Sequence, residues 1–183
     1  MSRIKRLVHS YSNYISVPWK NNMAPAQRVI FCVYNETEER CLRTKIDEFE
    51  IVTRQAGYDW VVFDLTDTFA VWLTSQRYAK KYFEKPHLIR PLLPNYLTFL
   101  EAQFEMFLQK RDTTSNSVVA LKGVGSLFGF IKVKEVVDKL APIVKGRLLV
   151  FFPGSYEDNN YRLLDGYDGW NYLATPITAD KEF

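Results

Sequence analysis

The chain has 183 residues, of which 47% are apolar, 15% aromatic and 25% charged, and its formal net charge is +3. This length is typical of one domain with a true hydrophobic core, and the aromatic content excludes intrinsic disorder. No apolar run approaches the about 18 residues of a membrane span, and two cysteines do not make a disulfide framework, so we expect a cytoplasmic protein.

The N-terminal segment is basic and has the apolar spacing of a helix. Residues 1–35 carry five positive charges and no negative charge. Ile4, Leu7 and Tyr11 recur at intervals of three and four, which predicts a helix that packs one side on the domain. Two alternatives remain: a cleaved targeting peptide, or a basic arm that contacts nucleic acid. The residues of such an arm are Arg3, Lys5, Arg6 and Lys20.

A strand–helix–strand pattern follows over residues 28–67. Residues 28–34 are short, apolar and β-branched, as in a buried strand, and residues 59–65 repeat this character. Between them we predict a helix that Asn35 caps, with Glu38 at the reciprocal capping position and Gly57 after its end. The order predicts a βαβ unit.

The remaining chain divides into a helical segment and a second α/β half. Residues 68–116 have a helical pattern broken by prolines, which predicts an insertion. In the second half, residues 117–177, we predict strands at 117–121 and 148–152, a helix at 131–145, and short strands at 161–164 and 170–174 in a hairpin-like segment. Together the pattern predicts a single α/β domain over residues 1–183, with an open, mostly parallel, Rossmann-like sheet.

Motifs for catalysis or cofactor binding are weak. Gly123, Gly125 and Gly129 follow a strand, but their spacing is not that of the dinucleotide fingerprint, so a tight turn and a nucleotide site both remain open. The chain has no phosphate-binding loop of the G-x-x-x-x-G-K-[ST] type, and His9 and His87 lie far apart in the sequence. We therefore expect no metal, no cofactor and no catalysis, with a cryptic nucleotide-binding enzyme as an alternative.

The most promising binding surface lies at the carboxyl ends of the predicted strands, where open parallel sheets bind ligands. Tyr34, Asn35, Ser126 and Gly154 should gather there with the strand-end candidates. Polar and aromatic residues are also dense between Pro153 and Pro176, where the rings either fill the sheet edge or form a partner surface. The candidate partner- or ligand-binding residues are Asp64, Asp67, Gly123, Gly125, Tyr156, Asn160 and Arg162.

The C-terminal third carries a family resemblance. Residues 147–177 contain Phe152-Pro153-Gly154, Asn160-Tyr161-Arg162-Leu163 and Trp170-Asn171-Tyr172-Leu173. This run resembles the C-terminal signature of the BrxB-like family of BREX bacteriophage-defence proteins. Shorter matching stretches are residues 6–11, 18–19, 28–34, 63–67 and 119–130, whereas residues 70–115 agree only in helical character.

The resemblance implies a bacterial cytoplasmic protein encoded beside a large ATPase, an adenine DNA methyltransferase and the phosphatase-fold protein PglZ. The family has no established catalytic residues, so none are carried over to this chain. The resemblance implies a non-catalytic adaptor that binds other defence proteins, with the PglZ-like protein as the first candidate and the large ATPase as the second. A weak DNA contact through the basic N-terminal segment is the alternative.

Overall fold

The computed structural model describes residues 2–20, 22–166 and 169–180. Its strands are β1 (Val29–Tyr34), β2 (Asp59–Asp64), β3 (Ser117–Lys122), β4 (Arg147–Glu157), β5 (Asn160–Leu163) and β6 (Thr175–Ile177). Its α-helices are α1 (Arg3–Ile15), α2 (Glu39–Arg43), α3 (Ile46–Gln55), α4 (Thr68–Thr74), α5 (Ala79–Glu84), α6 (Leu93–Lys110) and α7 (Val133–Leu140). Short 3₁₀ helices cover Pro25–Arg28, Glu36–Glu38, Pro86–Leu92 and Val124–Leu127.

The described strands form one open α/β sheet in the order β2-β3-β4-β1-β6, all parallel, and β5 pairs antiparallel with β4. The predicted fold class, α/β with an open and mostly parallel sheet, is confirmed. A C-terminal hairpin forms, but between β4 and β5 and not between residues 161–164 and 170–174. The two strands of the predicted βαβ unit, β1 and β2, are parallel members of this sheet, but β3 and β4 lie between them. Periodicity identifies the strands but carries no information on their order, which the packing of the later strands decides.

Both faces of the sheet are covered, so the central strands are buried on both sides. One core lies between the sheet and α4, α6 and α7, and the other lies between the sheet and α1 and α3. Side chains alternate between the two cores along β1, as the pleat of a strand requires. Val29, Phe31 and Val33 enter the first core, and Ile30, Cys32 and Tyr34 enter the second.

Helix α1 confirms the predicted N-terminal helix. Its buried side includes Ile4, Leu7 and Tyr11. The Tyr11 hydroxyl shares a buried hydrogen bond of 2.7 Å with the Thr53 hydroxyl of α3, which fixes the register between the two helices. The basic residues lie on the exposed side of α1.

The helix predicted after β1 is broken into a 3₁₀ helix, α2 and α3. The Asn35 side chain caps it as predicted, accepting from the Thr37 amide at 3.0 Å. Glu38 is not the reciprocal cap, because its carboxylate lies 3.8 Å from the Arg3 guanidinium instead. Gly57 ends α3 in the left-handed region, with φ of +88°.

Three further predictions in the second half differ from the structure. Strand β4 does not end at Phe152 but continues to Glu157 as one arm of the hairpin, because β5 supplies new backbone partners beyond Pro153. No strand forms over residues 170–174; Trp170 makes only an isolated bridge to Tyr161, and the next strand, β6, pairs with β1 instead. The helix predicted over 131–145 is shorter, at Val133–Leu140.

Candidate functional site

Asp64, at the carboxyl end of β2, is held by groups from two strand ends. Its Oδ1 accepts hydrogen bonds from the Thr66 amide at 3.0 Å and the Thr66 hydroxyl at 2.6 Å, and its Oδ2 lies 3.1 Å from the Lys122 Nζ at the end of β3. Partial burial raises the pKa of the Asp64 carboxyl, but the bonds from Thr66 and Lys122 outweigh it and lower the pKa overall. Asp64 is therefore a carboxylate at neutral pH.

A hydrogen-bonded chain continues from Thr66 towards β1. The Arg43 guanidinium donates to the Thr66 hydroxyl at 3.1 Å and to the Glu39 carboxylate at 2.6 Å. Glu39 also accepts a hydrogen bond from the Tyr34 hydroxyl, at the end of β1. Burial and the adjacent Glu39 raise the pKa of Tyr34 well above its ordinary value, so Tyr34 remains a neutral donor. We call this set the strand-end network: Tyr34, Glu39, Arg43, Asp64, Thr66 and Lys122.

The glycine turn after β3 packs against this network. Gly123 has a φ of +76°, and a β-carbon there would lie 2.4 Å from the Thr66 hydroxyl and 2.8 Å from the Thr66 amide. The space that the missing side chain of Gly123 leaves is thus occupied by the Thr66 hydroxyl and amide of the protein itself. The following helical turn, Val124–Leu127, is a short 3₁₀ helix. Of the two interpretations of Gly123, Gly125 and Gly129, this geometry favours the tight turn.

The sequence candidates fall into two groups. Asp64 and Gly123 meet at the strand ends, whereas Asp67 precedes α4 and its side chain makes no capping hydrogen bond. Gly125 connects the groups, since a β-carbon there would lie 3.5 Å from Pro153, at the base of the hairpin. The hairpin itself carries Tyr156, Asn160 and Arg162.

The hairpin candidates lie beside a tightly packed aromatic cluster. Tyr161 is fully buried, and its hydroxyl donates to the Ala174 carbonyl at 3.0 Å. The Phe31 ring lies 4.6 Å from Tyr161, 5.7 Å from Trp170 and 5.9 Å from Tyr172, measured between ring centroids. Residues 153–176 were predicted either to fill the sheet edge or to form a partner surface. The rings of Tyr161, Trp170 and Tyr172 favour the first interpretation, since they pack against the sheet. Tyr167, which belongs to the same predicted set, lies outside the described residues.

Sequence reasoning missed a groove beside the hairpin, between the start of α6 and the segment that follows the glycine turn. Its volume is about 910 Å³. Phe128 is 45% exposed and Phe130 is 38% exposed, and Phe130 stacks on Phe69 at 3.9 Å. The groove is also lined by Arg90, Leu97, Lys132, Glu135, Leu163, Asp165 and Trp170. The one sequence signal was the apolar Phe128-Gly129-Phe130 run in a loop.

The basic N-terminal residues are partly committed to ion pairs. Arg3 and Arg6 lie 3.4 Å and 3.5 Å from the Asp180 carboxylate, which is more than half exposed. Lys5 and Lys20 are exposed, and neither forms an ion pair within the part of the chain that the structure describes. A nucleic acid at this segment would therefore compete with Asp180 for two of the four predicted residues.

Across residues 2–20, 22–166 and 169–180, no three His, Cys, Asp or Glu side chains are placed to share a metal ion. Among the helices of the same residues, none combines the length and the apolar character needed to cross a membrane.

Comparison with known proteins gives one match. A family model described as BREX protein BrxB matches residues 63–176. No curated protein and no solved structure matches the chain. The matched residues run from the end of β2 to β6 and contain the whole groove, the hairpin and the glycine turn. They exclude α1 and β1, so the resemblance at residues 6–11, 18–19 and 28–34 stays a prediction.

Proposed function

The chain belongs to the BrxB family of BREX proteins, and on that premise we propose that it is a non-catalytic adaptor of a phage-defence complex. It binds other defence proteins through the groove beside the hairpin. The PglZ-like protein is our first candidate partner and the large ATPase is the second. The observation that carries the proposal is the pair of exposed phenylalanines, Phe128 and Phe130, in that groove.

The chemistry of the groove favours a polypeptide over a small charged ligand. Its floor is apolar and aromatic, and contiguous exposed apolar surface of this kind usually marks a binding site. Arg90 and Lys132 supply positive charge at its edge, and Glu135 and Asp165 supply negative charge. Charges of both signs around an apolar floor fit an amphipathic helix or loop, whose apolar side fills the groove and whose polar rim pairs with the edges.

The sequence candidates flank this groove in the proposal. Leu163 and Asp165, at the end of the hairpin, line the groove, and Tyr156 pairs with Tyr161 beside them. Asn160 and Arg162 lie next to Gly169, which also lines the groove. Asp64, Asp67, Gly123 and Gly125 would form its edge at the strand ends. The strand-end network keeps that edge rigid, because each of its charged groups is held by a partner.

The groove is tested by replacing Phe128 with serine. In cells that carry the complete defence locus, tagged wild-type protein should capture the PglZ-like protein, as measured by quantitative mass spectrometry. Phe128→Ser should lower the recovery at least about tenfold. Truncation of a central aromatic anchor commonly costs about 2 kcal/mol or more of binding free energy, and about 1.4 kcal/mol corresponds to a tenfold change in affinity. Asp64→Ala and Tyr156→Ala should weaken capture to a smaller degree.

Phe83→Ser is the matched control, because Phe83 is 60% exposed and does not line the groove. It should leave capture unchanged. Thermal melting of each purified variant establishes that it is folded. Equal capture by wild type and a folded Phe128→Ser variant would refute the groove as the docking site.

A further inference from the structure

A second surface, on the helical segment between β2 and β3, is strongly basic and, apart from Arg90 at the groove edge, takes no part in the proposed adaptor function. We call the exposed side chains of residues 77–90 the basic face. It includes α5 and most of the 3₁₀ helix Pro86–Leu92, which pack against each other. Its cations, all exposed, are Arg77, Lys80, Lys81, Lys85 and Arg90.

The charge of the basic face is unbalanced. Residues 77–90 contain five cations and one carboxylate, Glu84, for a net charge of +4, whereas the whole chain has a net charge of only +3. Among the described residues, none of the five cations lies within ion-pair distance of a carboxylate; the cations that do are elsewhere, as in the pairs Lys134–Asp138 and Lys139–Glu101. Like charges crowded in this way repel each other, so an anionic partner would stabilise them.

Aromatic rings lie among these cations and face solvent. Tyr78 is 56% exposed and Phe83 is 60% exposed. The Arg77 guanidinium lies 5.4 Å from the centre of the Tyr78 ring. Tyr82 instead points inward, against the first core, so α5 directs Phe83 and its lysines outward. Exposed rings interleaved with unpaired cations are the composition of a surface that stacks bases and neutralises phosphates.

We propose that the basic face binds single-stranded nucleic acid. The five cations contact the phosphates, and Tyr78 and Phe83 stack on bases. Duplex DNA offers the same phosphates but no free base faces, so the exposed rings favour a single strand. An acidic protein offers the same negative charge but no series of planar bases to stack on these rings. Arg90 also lies at the groove edge, so a bound strand would run up to the docking site for the protein partner.

The test uses the purified full chain and a fluorescent oligothymidylate, with affinity measured by polarisation between about 50 and 200 mM salt. Five phosphate contacts predict a slope of log affinity against log salt of about −3.5, a loss of roughly hundredfold over this range. The triple variant Lys80→Gln, Lys81→Gln and Lys85→Gln should reduce the slope to about −1.4. Phe83→Ala should weaken binding at least about fivefold and leave the slope unchanged.

The matched control replaces three exposed lysines outside the basic face and the N-terminal segment, Lys110, Lys139 and Lys145, by glutamine. It should bind as wild type. The proposal is overturned if wild type fails to bind at the lower salt concentration, or if the control loses as much affinity as the triple variant. It is equally overturned if duplex DNA or polyglutamate binds as tightly as the single strand. Because the chain is tested alone, failure here leaves the adaptor proposal standing.

Discussion

Replacing Phe31 by alanine is expected to cost about 3–5 kcal/mol of the free energy of unfolding. Phe31 is fully buried in β1, between β4 and β6, and its ring stacks on Phe152 with 5.4 Å between the ring centroids. On the other side it contacts the aromatic cluster of Tyr161, Trp170 and Tyr172. Removing the ring leaves a cavity between the sheet and the C-terminal segment, which neither side can close without moving a strand.

Urea unfolding followed by tryptophan fluorescence measures this loss, and the Trp170 indole reports on the site directly. Because a domain of this size has only about 5–15 kcal/mol of stability, a loss of this size should move the urea midpoint to a clearly lower concentration. Phe83→Ala, at an exposed ring, should change stability by no more than about 0.5 kcal/mol. A loss below about 1 kcal/mol for Phe31→Ala would mean that the C-terminal rings do not depend on this packing.

The second large effect is expected at Gly154, at the base of the hairpin. A β-carbon there would lie 1.9 Å from the Arg162 carbonyl oxygen and 3.0 Å from the Arg162 carbonyl carbon. Both are backbone atoms of the paired strand β5, so the clash cannot be relieved by a side-chain rotation. Gly154→Ala should cost about 1–3 kcal/mol and displace β5, and the groove residues Leu163 and Asp165 would move with it.

Gly125→Ala is the control, since its β-carbon would make ordinary contacts of 3.5 Å and 3.8 Å with Pro153 and Leu164. It should melt within a few degrees of wild type. Hydrogen exchange of the hairpin amides should accelerate only in Gly154→Ala. If both variants behave alike, the close approach of the two hairpin strands does not matter for stability or for the groove.

These two sites show what the sequence could predict. The apolar runs at β1 and β4 predict strands, because a strand covered on both faces must be apolar throughout. The same runs cannot predict which strands are neighbours, so the separation of β1 from β2 is visible only in the structure. Pro153 and Gly154 suggested an end to β4, yet the hairpin continues through them, since tertiary pairing with β5 outweighs the local preference.

The candidate site was predicted in part. Strand-end geometry brought Asp64 and Gly123 together as expected, because their strands are parallel neighbours. Arg43 and Glu39 were not anticipated, since they reach the site from α2, which sequence reasoning treated as part of one long helix. The groove depends on three segments distant in sequence and left no local motif. The net charge of +4 on residues 77–90 is not visible in the total of +3, because carboxylates elsewhere in the chain offset it.

The central claim is that this chain acts by binding another protein of its defence system through the groove. The most direct measurement mixes the purified chain with the purified PglZ-like protein at micromolar concentration and follows them by analytical ultracentrifugation. Our account predicts a stable complex with wild type and with Phe83→Ser, and none with Phe128→Ser. Separate sedimentation of the two wild-type proteins, or a complex that Phe128→Ser leaves intact, would contradict it.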